Sequence, residues 1–123
     1  MTGVQTCALP ISPQIVQEER VYKLAVETAE LAGVPGCVVR EDIIADCNYI
    51  GPGYGVPTES MNEAVLMLAR FEGLLFDPVY SGKALAGLID YIRQGRFTAG
   101  QKVVFLHTGG SAGLFAYSDV LTL

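Results

Sequence analysis

Basic residues are scarce in this chain: 8 Lys plus Arg stand against 13 Asp plus Glu, leaving a net charge of −5. That balance repels phosphate backbones and speaks against a nucleic-acid partner. Histidine occurs once, as His107, and without Cys or His partners at ligand spacing it gives no reason to expect a metal. The three cysteines, Cys7, Cys37 and Cys47, form neither a C-x-x-C pair nor a disulfide framework, the pattern of structural thiols in a reducing cytoplasm. No apolar run reaches the ~20 residues of a membrane-spanning helix, so no membrane association is expected. No nucleophile–base pair for covalent hydrolysis can be assembled, and no repeat, low-complexity tract or linker interrupts the chain.

What is present is hydrophobic material: half of the 123 residues, enough for one ordinary domain with a single core. With no membrane to receive it, this apolar surface is expected to be buried in that core or against further protein. The stretch at 2–11, TGVQTCALPI, has no helical or strand periodicity and no features of a signal peptide. It resembles the in-frame translation of a sequencing-library adapter, so residues 1–12 are expected to be a non-native leader and 13–123 the domain proper.

Over 13–32, Ile15, Tyr22, Ala25, Val26 and Ala29 follow helical spacing, with Pro13 suited to a first turn and Gly33 to the position after the last. Short β-branched runs at 37–39 and 43–45 are strand candidates. Gly51 to Pro57 form a loop of glycines and prolines, after which Ser60-x-x-Glu63 offers a capping box for a helix to Phe71. Its face is Met61, Ala64, Val65, Leu68 and Phe71, and Gly73 ends it. Residues 74–76 are a short buried strand candidate. A third helix carries Ala84, Leu85, Leu88, Ile89 and Ile92 and stops at Gly95. Residues 103–106 are a continuous apolar run, expected as a strand covered on both faces, and a loop from His107 to Gly113 follows. Helices alternating with apolar strands predict an α/β domain, a parallel sheet flanked by helices. In such sheets ligands sit beyond the carboxyl ends of the strands, which directs attention to the loops at 77–83 and 107–113. The TGGSAG glycines would allow a close backbone approach, and a helix starting there would present N–H groups to an anion.

Three segments, GPGYGVP at 51–57, DPVYSGKA at 77–84 and FLHTGGSAGLFAY at 105–117, resemble in order and separation the D-cysteine desulfhydrase and 1-aminocyclopropane-1-carboxylate deaminase family. The likeness runs from Pro13 to Tyr117. It implies the C-terminal part of a tryptophan synthase β-like fold, with pyridoxal 5′-phosphate as cofactor, a small amino acid as substrate and a homodimer as assembly. It also implies that the lysine carrying the cofactor belongs to an N-terminal part of the same enzyme, absent from this chain. Tyr54 and Tyr80 match the two tyrosines that face substrate and are the candidate catalytic residues, since a phenol can position a substrate or pass a proton. Thr108 matches the position near the pyridine nitrogen. With Gly109, Gly110 and Ser81 it makes up the candidate cofactor contacts.

Ring-opening deaminases of the family typically carry Glu after the DPVY tyrosine and Leu in the HxGG element, where this chain has Ser81 and Thr108. Both departures favour a desulfhydrase, converting D-cysteine to pyruvate, hydrogen sulfide and ammonia. The alternatives are the cyclopropane-carboxylate deaminase or a non-catalytic phosphate-binding module. Asp77 is expected to shape its turn, Lys83 to lie at the surface or on the substrate side, and Glu18, Glu19, Glu41 and Asp42 to be solvated.

Overall fold

A computed structural model of the chain describes residues 4–6, 14–119 and 121. The first helix, α1 (Gln14–Leu31), turns Tyr22, Ala25, Val26 and Ala29 inward as the spacing predicts, but Ile15 is exposed. Its end is set by Gly33 at φ 75°: the Gly33 N–H donates to Glu30 O and the Val34 N–H to Ala29 O. This is the paired 6→1 and 5→2 bonding that a left-handed residue allows.

Residues 37–39 are not a strand; a short 3-10 turn, Arg40–Asp42, follows them. The strand β2 (Ile44–Asp46) lies one residue beyond the predicted run. Its partner is β1 (Val4–Thr6), parallel to it in the register Val4 to Ile44 and Thr6 to Asp46. β1 falls within the stretch read as an aperiodic leader. Ladder bonds come from the backbone, so a strand can form there without side-chain alternation. The rest of that stretch, with Cys7 and Pro13, lies outside the described residues. Glu18, expected to be solvated, accepts hydrogen bonds from the Arg40 guanidinium at 3.1 Å and the Ala45 N–H at 3.2 Å, tying α1 to β2. Asp42 accepts from the Val39 N–H at 3.1 Å, closing the 3-10 turn.

The core lies between α2 (Glu59–Glu72) and α3 (Ser81–Arg93). Met61, Ala64 and Val65 meet Leu85 and Ala86, and Phe76 closes one end. Each fully buried Met or Val side chain contributes roughly 1.5–3 kcal/mol. The cap of α2 is Thr58, whose hydroxyl accepts the Met61 N–H at 3.2 Å; the expected Ser60–Glu63 box does not form, because α2 already begins at Glu59 and leaves Ser60 inside it, while Glu63 pairs with Arg93 at 2.6 Å. Gly73 ends α2 at φ 67° and Gly95 ends α3 at φ 69°, both as predicted.

The runs at 74–76 and 103–106 are not strands. They lie side by side, with Phe76 and Phe105 ring centroids 5.4 Å apart. Among the described residues no backbone ladder joins them, and Val104 is 90% exposed rather than covered. The parallel sheet among the described residues is therefore β1 and β2 alone. No helix among them is long and apolar enough to cross a membrane.

Candidate active site

Asp77 anchors the site. It is 2% exposed, and its Oδ2 accepts the N–H groups of Val79 at 2.8 Å and Tyr80 at 2.7 Å. Its Oδ1 accepts the Ser81 N–H at 2.9 Å and the Ser81 hydroxyl at 2.6 Å, while the Asp77 N–H donates to Ser81 Oγ at 3.0 Å. A carboxylate taking the free N–H groups at the start of α3 satisfies donors that the helix cannot. Burial pushes the Asp77 carboxyl up, but the Ser81 hydroxyl and the N–H groups of Ser81, Tyr80 and Val79 outweigh it and hold the group below its ordinary value. The expected turn-shaping role of Asp77 is thus observed. Ser81, expected among the cofactor contacts, is buried with its hydroxyl turned into Asp77.

The turn fixes the backbone of Tyr80, whose ring emerges 39% exposed beside that of Tyr54, 55% exposed on the 51–57 loop. The rings meet edge to face with centroids 5.8 Å apart, and the two hydroxyls are hydrogen-bonded. That bond raises the Tyr80 phenol above its ordinary value, with burial and the charge of Asp77 adding to it. The phenol stays protonated at neutral pH and available to donate.

The 107–113 loop lies against the same turn. Gly110, at φ 91°, passes so close to Asp77 that a Cβ there would sit 2.8 Å from its Oδ1. Gly109, at φ 101°, has nothing within 4 Å of where its Cβ would be, so the backbone at this point faces open space. Thr108 is exposed. The His107 ring stacks on Phe76 at 4.4 Å, and the Ser111 hydroxyl donates to Leu75 O at 2.7 Å. After Gly110 the chain forms a 3-10 helix of seven residues, Ser111–Tyr117, not the α-helix whose N-terminus could bind an anion. Among the described residues no group of three or more His, Cys, Asp or Glu could hold a metal ion.

Two residues not among the candidate site residues complete the arrangement. Lys83, expected at the surface or on the substrate side, is 1% exposed, and its ammonium donates to Ile50 O at 2.5 Å and Gly53 O at 3.2 Å. Burial pushes its pKa down. Tyr117 donates its hydroxyl to Gly55 O at 3.0 Å. A loop with three glycines within 51–55 and few side-chain hydrogen-bonding groups was the available sign that its carbonyls would need outside donors. The three motifs thus converge: the 51–57 loop is bound to α3 and to the 3-10 helix, and the 107–113 loop rests on Asp77.

Residues 1–109 match the family model described as "Pyridoxal-phosphate dependent enzyme". A 1-aminocyclopropane-1-carboxylate deaminase of Burkholderia cenocepacia is 43% identical over 102 residues, covering 83% of this chain and 30% of the relative. One of Variovorax paradoxus is 44% identical over 100 residues, covering 81% and 30%. A solved structure titled as that of an ACC deaminase homologue superposes with a TM-score of 0.75 at 34% identity, covering 96% of this chain and 34% of that one. The chain spans about a third of the length of the relatives it matches.

Proposed function

Because the chain belongs to the pyridoxal-phosphate dependent enzyme family, we propose that its three linked loops form one wall of a site for that cofactor and a small amino acid, in a lyase that releases ammonia. The observation that carries this reading is the hydrogen-bonded pair of partly exposed phenols, Tyr54 and Tyr80, brought together from positions 26 residues apart.

The residues fit the ring end of the cofactor. Gly109 leaves the backbone open, and Thr108 offers a neutral hydroxyl beside it. When bound, pyridoxal phosphate supplies an electron sink for the bonds at an amino acid's Cα. Tyr54 and Tyr80 then orient the substrate and hold or move a proton at their Oη atoms, and Thr108 serves the cofactor's ring side. The seven-residue 3-10 segment offers no comparable support for the cofactor's phosphate or for a phosphate-binding module without catalysis. A homodimer, which rests on the family resemblance, and a cytoplasmic location, which rests on the cysteine pattern, belong to the same proposal.

The leading substrate is 1-aminocyclopropane-1-carboxylate, in keeping with the names of the Burkholderia and Variovorax relatives. D-Cysteine is the second reading, and a specific observation favours it: Ser81 stands where the resemblance implies Glu in ring-opening members, and its hydroxyl is engaged by Asp77. It therefore brings no negative charge toward a pyridinium. The protein expressed from its complete reading frame and given pyridoxal phosphate decides between them. The cyclopropane reaction consumes one water and releases 2-oxobutanoate and ammonia, and these two products are expected. Pyruvate with hydrogen sulfide from D-cysteine as the dominant outcome selects the second reading. Neither keto acid from either substrate overturns both.

A further inference from the structure

We propose that Lys83 and Tyr117 are positioning residues that hold the 50–55 loop by its carbonyl oxygens and so set Tyr54 against Tyr80. The inference rests on the reading of those two tyrosines as substrate-facing. Lys83 sits in the first turn of α3, where the helix dipole disfavours a cation, and it is buried. Among the described residues no carboxylate forms an ion pair with it. A buried ammonium with only neutral acceptors is costly, and an apolar side chain of similar volume would serve stability better. What the ammonium offers instead is direction. Its N–H groups reach two carbonyls of one loop, Ile50 O and Gly53 O, and bracket the turn between them.

The loop needs such a bracket. Gly51 and Gly55 have φ of 76° and 70°, conformations that glycine enters freely and leaves as freely. Its own backbone bonding is sparse: the Val56 N–H donates to Gly53 O at 3.2 Å and the Ile50 N–H to Cys47 O at 3.5 Å. Tyr54 lies between Gly53 and Gly55, and each of these neighbours has its carbonyl held from outside, Gly53 by Lys83 and Gly55 by Tyr117. The tyrosine is therefore fixed on both sides through backbone, with its own side chain left for the site.

The test labels the protein with 13Cζ-tyrosine, assigns Tyr80 with Tyr80→Phe, and compares wild type with Lys83→Met and Tyr117→Phe. Each variant is expected to speed hydrogen exchange at the Ile50 and Val56 amides, the two N–H groups of this segment that donate backbone hydrogen bonds, by about tenfold or more, leaving α1 unchanged. Each should also bring the Tyr80 titration down toward the ordinary tyrosine value of about 10. Unchanged exchange and an unchanged Tyr80 titration in folded variants overturn the proposal. Should Lys83→Met lose its helical circular dichroism, Tyr117→Phe, which removes a single oxygen, decides alone. Neither readout involves turnover, so a failed substrate assignment leaves the result intact, and a failed bracket leaves the cofactor reading intact.

Discussion

A single carboxylate, that of Asp77, accepts three backbone N–H groups and the Ser81 hydroxyl. Removing it with Asp77→Ala leaves those donors unsatisfied at a buried helix start, and a loss of about 2 kcal/mol is expected from the urea midpoint at pH 7. The pH dependence has a definite sign. Because the folded carboxyl titrates below its ordinary value, its stabilisation is present above the unfolded value of about 3.9 and is lost as pH falls through the lower folded one. The gap between wild type and Asp77→Ala should therefore close on acidification. The role of Asp77 was legible, since Asp before Pro in a turn has few alternatives. That of Ser81 was not. A hydroxyl beside a candidate site is equally able to face a ligand or its own helix start, and only the position of the Asp77 carboxylate decides which.

At the scale of elements, α2 and α3 are held at close range by a glycine. A Cβ at Gly82 would lie 2.7 Å from both Asp77 O and Val65 Cγ2 and 3.1 Å from Met61 Cγ. Gly82→Ala gains up to ~1 kcal/mol of helix propensity but forces the helices apart, and overpacking of ~1–3 kcal/mol should win. Chemical denaturation is expected to show net destabilisation; a gain would mean that the helices separate without strain. The ends of these helices were readable because a glycine at the end of a helix acts within one turn, as at Gly33, Gly73 and Gly95. The cap lies two residues earlier than expected, since Thr58 and Ser60 are both competent and only the start of α2 at Glu59 decides between them. The strands expected at 74–76 and 103–106 failed for a different reason: apolar, β-branched or aromatic sequence favours extension, but a strand exists only where a second backbone completes the ladder.

For the whole molecule, the region around β2 and the far end of α3 are clasped by two phenol–carboxylate bonds. Tyr91 donates to Asp46 and Tyr49 to Asp90, each at 2.5 Å, and the Arg96 guanidinium lies 4.0 Å from the Tyr91 ring centre. Burial, and then the bonded carboxylate, pushes both phenols up to about 12. A folded value above the unfolded one means that this stabilisation is fully present below pH ~10 and is lost as pH rises through about 12. The urea midpoint of wild type should fall toward that of a Tyr49→Phe/Tyr91→Phe double variant over this window. Parallel curves would show that the clasp contributes nothing.

By itself the sequence determined the three α-helices, the glycines that end them, the loops between them and the linked motifs that mark the family. All of these depend on contacts within one or two turns, or on residue order alone. Tertiary structure decided the rest: that Lys83 is buried under the loop bearing Tyr54, that Ser81 faces Asp77, that Glu18 reaches β2, and that the apolar run at 103–106 has no ladder partner among the described residues. Each of these turns on which groups far apart in the chain become neighbours. A long side chain such as lysine, or a hydroxyl such as serine, can satisfy itself equally well in water or in a packed site, and composition and spacing do not distinguish the two.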